Sequence, residues 1–386
     1  MAVTINSGLV DTADPLSNEL KIDMREKIAD LDPDTSQFTT MLMKLPTERA
    51  TSFKVEWMDD QYIPKISAFS ATASSADTNF AVTTDEGSYF KAGDILRIAD
   101  TGEPVRVTGV AASSLTVVRA IDGSTAASTT SVAKLVHIGG SNEQGATMPT
   151  ALSAERSANY NYTQIVRNSY RFTNTARATQ WYGGPLEAKE RRKKAVEHKM
   201  EIENALFFGA RSYTAGTNNP RHTMGGLLQY ATSESDTDTL DETELQTFFR
   251  HGLEFGSKRK VFFCAPLVAQ VISSFLEEDI RAKSGESLYG VKVDHVISGV
   301  SGQQIPVVVK SEWKRYGEGA GQYGSYGVLV DMDYVQLAPF RDTVLRPNIQ
   351  ANDADEVAAE YLTELSLKVE QGANVHRWLV DVTGAA

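Results

Sequence analysis

The side chains whose types and spacing could perform chemistry are few. Asp331 and Asp333 are two residues apart in a strand-like run, so both carboxylates would lie on one face, where a third ligand would complete a site for a divalent ion. Asp294 and His295 are adjacent, so in a strand they would point to opposite faces. Cys264, the single cysteine, lies within VFFCAPLV, which predicts a buried, inert thiol. Without a third ligand or an acid–base partner, these residues predict no catalytic group and no metal site.

One glycine motif could suggest a nucleotide site. Gly319, Gly321 and Gly324 satisfy GxGxxG, but they lead into the strand-like GVLVDMDYV, whereas a dinucleotide fingerprint follows a strand and opens a helix. The pattern therefore favours a flexible glycine-rich loop. The sequence contains no paired-cysteine metal pattern, no HExxH, no GxSxG and no P-loop. We expect a protein that is not an enzyme and needs no cofactor.

Charge and hydropathy exclude further classes. The 386 residues carry a formal net charge of −12, and tight nucleic-acid binding needs clustered Lys and Arg. The basic run 191–194 alternates with glutamates, which favours a solvated helix face over a phosphate contact. No apolar run approaches the ~20 residues of a membrane helix, and the N-terminus lacks a signal-peptide pattern. We expect a soluble, unexported chain that folds in a reducing cytosol.

A long ionic helix is the clearest element that could position functional surfaces. Gly183-Gly184-Pro185 precede it and Gly209 ends it, with Pro185 suited to the first turn and Gly209 to a left-handed stop. About 24 residues give a rod of roughly 36 Å. Only from Ala195 onward does an apolar face develop, so the pairs Glu187–Arg191 and Glu190–Lys194 would steady the first half. The pattern predicts a helix that lies across a surface as a strut.

Two strand-like segments precede this helix. In the first, residues 51–58, Phe53, Val55 and Trp57 alternate with polar residues. The second, residues 159–173, places aromatic residues such as Tyr162 on one face and Thr163, Ile165, Arg167, Ser169 and Arg171 on the other. We expect the two segments to pair as a long ribbon. Because an isolated ribbon is only marginally stable, it would need a neighbour, which is a hint of self-association.

The rest of the chain divides by composition. Residues 1–50 suggest an arm with two short helices, one over 20–31 and one over 38–45. Residues 70–148, rich in Ser, Thr, Ala and Gly, suggest an inserted β-barrel or sandwich. An α/β pattern covers 240–345, and 346–386 predicts a hairpin that turns at Gly372-Ala373-Asn374.

This order of parts resembles the major capsid proteins of tailed bacteriophages, which have the HK-ninety-seven-like fold. The resemblance rests on FKVEWMDD, the return strand YTQIVRNSYRFTNTARA, WYGG before the charged helix, MGGLLQY after it, and GVLVDMDYVQLAPFRDT. It is closest to the subgroup with a β-rich domain inserted near the extended loop. It covers nearly the whole chain except the insert, and the order of the motifs carries more weight than any one of them.

The resemblance implies an α+β fold with an N-terminal arm (1–50), an extended loop (51–69 and 149–180), the insert (70–148), a spine helix with peripheral domain (181–239), an axial domain (240–345) and a peripheral C-terminal hairpin (346–386). It implies hexamers and pentamers in an icosahedral shell around phage double-stranded DNA, held without sequence specificity. Partners would be copies of the chain, a portal, a scaffold and a decoration protein, with no membrane. The protein would be made in the host bacterial cytoplasm and would reside in the virion. The expected inter-subunit contacts are Phe53, Val55, Trp57, Tyr162, Ile165, Arg167, Arg171, Glu187, Glu190, Arg191 and Lys194.

Two other interpretations remain open from the sequence. Another virion structural protein, such as a tail-tube or decoration subunit, would be dominated by β-structure and would lack the long charged helix. An α/β enzyme with a β-accessory domain would need convergent polar groups in a pocket, and the sequence offers none.

Overall fold

The structure is a computed structural model that describes residues 36–181, 184–216, 218–235, 239–279, 283–288, 291–297 and 304–384. The predicted helix over 20–31, most of the arm and Gly183 lie outside these residues. The chain divides into two compact units, one of residues 1–57 with 159–386 and one of residues 58–158.

The helices and strands are numbered along the chain. The helices are α1 (Gln37–Lys44), α2 (Asn174–Ala178), α3 (Leu186–Phe208), α4 (Leu227–Tyr230), α5 (Glu242–Gly252), α6 (Pro266–Asp279) and α7 (Gly372–Val375). The strands are β1 (Lys54–Asp59), β2 (Ile66–Ala68), β3 (Asn79–Ala81), β4 (Asp94–Ile98), β5 (Pro104–Ala111), β6 (Ser114–Val118), β7 (Lys134–Gly140), β8 (Ser157–Tyr162), β9 (Gln164–Thr173), β10 (Ser212–Thr214), β11 (Arg221–Thr223), β12 (Thr232–Ser235), β13 (Lys260–Cys264), β14 (Lys283–Leu288), β15 (Val291–Ile297), β16 (Gln304–Val309), β17 (Gly327–Asp331), β18 (Val335–Arg346), β19 (Glu356–Val369) and β20 (Arg377–Val380).

The smaller unit contains a six-stranded antiparallel barrel with the strand order β2-β7-β4-β5-β6-β3. A bridge between Phe69 and Val82 joins its first and last strands, so the sheet closes. Alternate residues of each strand point inward, as a closed sheet requires. They build a core of their own that includes Phe69, Phe80, Phe90, Leu96, Val105, Leu115, Val117 and Leu135.

A seven-stranded mixed sheet forms the centre of the larger unit, in the order β12-β20-β17-β13-β16-β15-β14. β13 (KVFFC) is buried along its whole length, because it pairs with β16 on one side and β17 on the other. Strands buried on both faces are typical of continuous apolar runs. Cys264 ends this strand fully buried, and burial raises the pKa of its thiol to about 12, which confirms the predicted inert cysteine.

A three-stranded antiparallel sheet, in the order β18-β19-β9, lies beside the long helix α3. The predicted ribbon is only partly correct. β8 pairs with β1, but the following strand β9 leaves the ribbon and pairs with β19 over ten residues, from Gln164 opposite Leu365 to Thr173 opposite Glu356. The chain changes partner at Thr163, where the buried side chain donates to Glu364. The sequence showed strand periodicity on both sides of Thr163 but not this change of partner.

The predicted C-terminal hairpin is wrong, because its two arms lie in different sheets. β19 is the central strand of the three-stranded sheet, whereas β20 pairs with β12 and β17 in the seven-stranded sheet. Between them Gln371 has a φ of 49° and begins the short helix α7, which redirects the chain. Trp378 in β20 is then fully buried. Burial of this indole against the larger core outweighs local hairpin pairing.

The long helix is confirmed over Leu186–Phe208, with Pro185 at its N-cap. The predicted left-handed stop is wrong, since Gly209 has φ −55° and ψ 141°. Glycine is required there for a different reason. A Cβ on Gly209 would lie 2.4 Å from the carbonyl oxygen of Ala205 and 2.6 Å from that of Met224, so two backbone segments cross at the helix end.

None of the helices in the described ranges combines the length and apolar composition needed to cross a membrane.

Candidate functional site

The root of the β1–β8 ribbon holds four of the predicted contact residues. Trp57 is buried, with its ring centroid 5.8 Å from that of Tyr230, so it is not an exposed contact residue. Val55 is half-buried. Phe53 is exposed and stacks on Tyr162 at 6.2 Å, with the ring planes 6° apart. Of these four, only Phe53 keeps an exposed ring.

The stack continues into the β10–β11 hairpin. Tyr213 lies 5.9 Å from Phe53 and 5.5 Å from Tyr162, and half of its own surface stays exposed. Beside it, the guanidinium of Arg211 lies 4.1 Å from the centroid of the Tyr160 ring. Partly exposed aromatic groups beside a cation are typical of the anchors of protein interfaces.

Asn161 fixes this root to the body of the unit, and the sequence reasoning missed it. Its Nδ2 donates to the carbonyl oxygens of Gly225 (2.9 Å) and Leu367 (2.7 Å), while its Oδ1 accepts from Gly225 N at 2.8 Å. The side chain is fully buried. The Gly-Gly pair in MGGLLQY was the available signal, since a polar residue must satisfy the backbone where a glycine turn is buried.

Ile165, Arg167 and Arg171 share the face of β9 that lies away from α3. Ile165 is 44% exposed. The Arg167 guanidinium lies 2.5 Å from Glu360 on β19, whose side chain is only 4% exposed. Arg171 is exposed and sits opposite Ala358. The structure therefore places these three predicted residues together on an open sheet face.

Arginines of β18 complete this face from the other side. Arg341 Nε donates to Glu364 at 2.6 Å, and an Arg346 nitrogen lies 3.8 Å from Glu360. Two carboxylates of the central strand are thus covered by exposed guanidinium groups from both neighbours. We call this surface, with residues Ile165, Arg167, Arg171, Arg341, Val344, Arg346, Glu360 and Glu364, the arginine face. Its cations outnumber its carboxylates in a chain of net charge −12, so it suits an acidic partner surface.

The predicted ion pairs along α3 are replaced by others. Glu187 pairs with Arg177 of α2 at 3.4 Å instead of Arg191, and Lys194 pairs with Glu197 at 2.5 Å instead of Glu190. Arg191 is exposed and Glu190 half-buried. These pairs differ because α2 precedes the helix directly and supplies a cation that sequence spacing alone could not locate.

The second half of α3 carries buried polar groups that the apolar pattern did not predict. Glu203 accepts hydrogen bonds from the backbone N–H groups of Phe38 (2.8 Å) and Thr39 (2.7 Å) at the start of α1, and from Lys310 Nζ at 2.7 Å. His198 lies 2.7 Å from Thr363 Oγ1 through its Nε2. Burial lowers the pKa of His198. Through these bonds, α3 joins α1, β19 and the end of β16.

The residues that suggested chemistry have structural roles. Asp331 is buried and accepts from Ser257, through the backbone N–H at 2.6 Å and the hydroxyl at 2.7 Å, while Asp333 pairs with Arg259 at the surface. Asp294 and His295 occupy adjacent positions in β15. The described ranges contain no group of three His, Cys, Asp or Glu side chains placed to share a metal ion.

Two buried titratable groups lie near Asp331. Lys260 Nζ donates to the carbonyl oxygens of Gly252, Phe255 and Val375 at 2.6–3.0 Å, and burial lowers its pKa to about 8. His376 Nδ1 accepts from Asp331 N at 3.1 Å, and burial lowers its pKa to about 3. The ammonium is used to bind carbonyl groups, and the imidazole to accept a backbone bond, so neither faces a substrate cleft.

The GxGxxG segment lies in a loop, as expected. Gly319 N donates to Ser325 Oγ at 2.6 Å and Gly321 N to Asp381 at 2.5 Å, and the chain then enters β17 through a short 3-10 turn. With its amides bonded within the chain and no α-helix after it, the loop offers no phosphate cradle.

A family model described as SU10 major capsid protein matches residues 4–383. The major capsid protein of Pseudomonas phage PaMx41 is 29% identical over 252 residues, which are 60% of this chain and 60% of that relative. This match therefore spans less than two thirds of the relative's length.

Two solved structures show the same architecture. The capsid asymmetric unit of Cyanophage A-1(L) is similar with a TM-score of 0.53 at 8% identity, over 97% of this chain and 100% of that one. The capsid of the empty GTA particle is similar with a TM-score of 0.51 at 8% identity, over 97% and 100%. The predicted α+β, HK-ninety-seven-like capsid fold is thereby confirmed. Because the family model spans almost the whole sequence, this chain belongs to the SU10 major capsid protein family.

Proposed function

We propose that the chain assembles with copies of itself, as hexamers and pentamers, into an icosahedral shell that encloses phage double-stranded DNA. The observation that carries this proposal is the arginine face: a three-stranded sheet covered on one side by α3 and left open on the other, with Ile165 and Val344 exposed between arginines. An open, mixed apolar and cationic surface is typical of an interaction site.

The ribbon root supplies a second half of such a contact. Phe53, Tyr162 and Tyr213 present stacked rings that stay partly exposed, and Asn161 holds their backbone rigidly. Rigid aromatic groups lose little entropy when they are covered, so they suit an interface. The predicted contacts Phe53, Ile165, Arg167 and Arg171 fit this proposal, whereas buried Trp57 supports the ribbon from within.

The role of the chain is structural rather than enzymatic. Its buried titratable groups (Lys260, His376, Asp331 and Glu203) are bonded to backbone groups, so none of them is presented to a substrate. We further propose a portal, a scaffold and a decoration protein as partners, synthesis in the host bacterial cytoplasm and residence in the virion. Packaged DNA would be held without sequence specificity.

Sedimentation velocity with negative-stain electron microscopy of the purified full chain tests the proposal. We expect rings of five or six subunits or closed shells, and we expect Arg167→Glu with Arg341→Glu to reduce them. Arg156→Glu, an exposed arginine of the smaller unit paired with Asp60, is the matched control. A homogeneous monomer or dimer across salt and protein concentration, with candidate scaffold present, would contradict it.

A further inference from the structure

The outer edge of β18 is open along its second half. The sheet order β18-β19-β9 leaves β18 with a partner on one side only. Pro339 lies within this strand, and proline is confined to edge strands because it lacks an N–H. Ala50 N donates to the Pro339 carbonyl at 3.1 Å, but within the described ranges no backbone group outside β19 bonds to residues 341–346. A row of unpaired N–H and C=O groups is a template for another strand.

The side chains along this open edge are self-complementary. Asp342, Val344 and Arg346 follow one another at a spacing of two, which places them on one face of a strand. Val344 is 50% exposed. The side chains of Asp342 and Arg346 are also exposed, so all three are accessible to a partner.

Only one antiparallel self-pairing matches the charges. When the pairing is centred on Val344, Val344 faces Val344 of a second copy, and Asp342 faces Arg346 of the second copy on both sides. When it is centred between Thr343 and Val344, Arg341 instead faces Arg346 of the second copy, and like charges directly opposite each other are destabilising. The sequence thus selects a register.

We propose that β18 of two copies pairs antiparallel about a two-fold axis through Val344, which joins two three-stranded sheets into one of six strands. The contact is isologous, so the same patch serves both copies. Asp342 is paired with Arg49 within the chain, but both side chains are 67% exposed, and a solvated pair of this kind is readily exchanged or shared. This inference rests on the proposed self-assembly and names one of its contacts.

Disulfide trapping tests the two-fold directly. Cys264 is buried, so Val344→Cys adds the only reactive thiol of the described chain. Residues opposite each other in an antiparallel pair have Cα atoms about 4.5–5.5 Å apart, within disulfide range. We expect assembled Val344→Cys protein to give disulfide-linked dimers on a non-reducing gel. Asn352→Cys, on the exposed loop after β18, controls for random collision.

A charge swap tests the register. Asp342→Arg and Arg346→Asp should each reduce trapping through Val344→Cys several-fold, because each places like charges opposite one another. Asp342→Arg with Arg346→Asp should restore trapping, because opposite charges face each other again. Circular dichroism of the exposed-site variants establishes that all of them fold.

The outcomes separate this inference from the proposed function. Rings or shells that show no trapping above the Asn352→Cys control would overturn the β18 contact alone and would indicate that the charges only guard an exposed edge. Trapping that the charge swap fails to restore would overturn the register and the two-fold. A chain that stays monomeric and untrapped at every concentration would contradict both proposals.

Discussion

The side chain of Asn161 bonds to the backbone of Gly225 in both directions, donating to its carbonyl at 2.9 Å and accepting from its N–H at 2.8 Å. The carboxamide thereby reproduces the pairing that a neighbouring strand would give. It does so where β8 leaves the ribbon and β9 joins the three-stranded sheet, so a buried change of partner leaves these backbone groups satisfied. The same amide also bonds to Leu367 of β19, which ties the ribbon root to the centre of that sheet.

Replacement of Asn161 by leucine should strongly destabilise the larger unit. The apolar isostere leaves two carbonyls and one N–H buried without partners, and each such loss costs about 1–3 kcal/mol. We expect the free energy of unfolding to fall by about 3–5 kcal/mol, measured by urea titration of the unassembled chain. Asn79→Leu, at an exposed position of β3, should change it little. A loss below about 1 kcal/mol for Asn161→Leu would show that water replaces these bonds.

Gly226→Ala should be destabilising although the backbone there is not in the left-handed region. A Cβ at this position would lie 2.6 Å from Gly209 N and 2.7 Å from the Phe207 carbonyl, both backbone atoms that cannot move aside without shifting the end of α3. Overpacking of this kind costs about 1–3 kcal/mol. Gly139→Ala in β7 meets nothing within 4 Å and is the matched control. Equal melting temperatures for the two variants would contradict the close-crossing argument.

These two sites show what the sequence could and could not predict. Alternating and helical periodicities gave α1, α3 and the strand character of β1 and β9, because such patterns record which face of an element is buried. They did not give partners. β9 pairs with β19 almost two hundred residues later, and β20 leaves the expected hairpin for β17, since pairing is decided by long-range packing that local periodicity does not encode.

The candidate site followed the same division. Ile165, Arg167 and Arg171 could be placed on one face from their spacing alone. Their carboxylate partner Glu360 could not be found, because it depends on which strand lies opposite. Asn161 and Glu203 were missed for a related reason. A buried polar residue is indistinguishable in sequence from a solvated one until the backbone groups it satisfies are known.

Breaking the buried Lys310–Glu203 pair should cost more than removing it whole. Both side chains are 1% exposed, and Glu203 also binds the first N–H groups of α1. Lys310→Met leaves a buried carboxylate without its cation, at about 3–5 kcal/mol. Lys310→Met with Glu203→Gln removes the charge and should recover a large part of that loss. Urea titration of the four species of this double-mutant cycle gives the coupling energy, and simple additivity would contradict a direct interaction.

Acid should destabilise the larger unit through His376. Burial lowers the pKa of this imidazole from 6.5 to about 3, and Nδ1 accepts the Asp331 N–H, which requires an unprotonated nitrogen there. As pH falls below 6.5, the unfolded chain therefore binds a proton that the folded chain does not, and the free energy of unfolding decreases by up to ~1.4 kcal/mol per pH unit. The decrease ends near pH 3, where the folded chain also takes up the proton.

His376→Asn isolates this contribution, because the amide oxygen can accept the same N–H but does not titrate. Its free energy of unfolding, measured by urea titration between pH 4 and 7, should fall less steeply with acid than that of the unaltered chain, by close to one proton's linkage at the low end of this ~3-unit window. His251→Asn, at a side chain that is 41% exposed, should leave the slope of the unaltered chain in place. Parallel pH profiles for His376→Asn and the unaltered chain would mean that His376 is protonated in the folded state, and that the Asp331 bond does not hold it neutral.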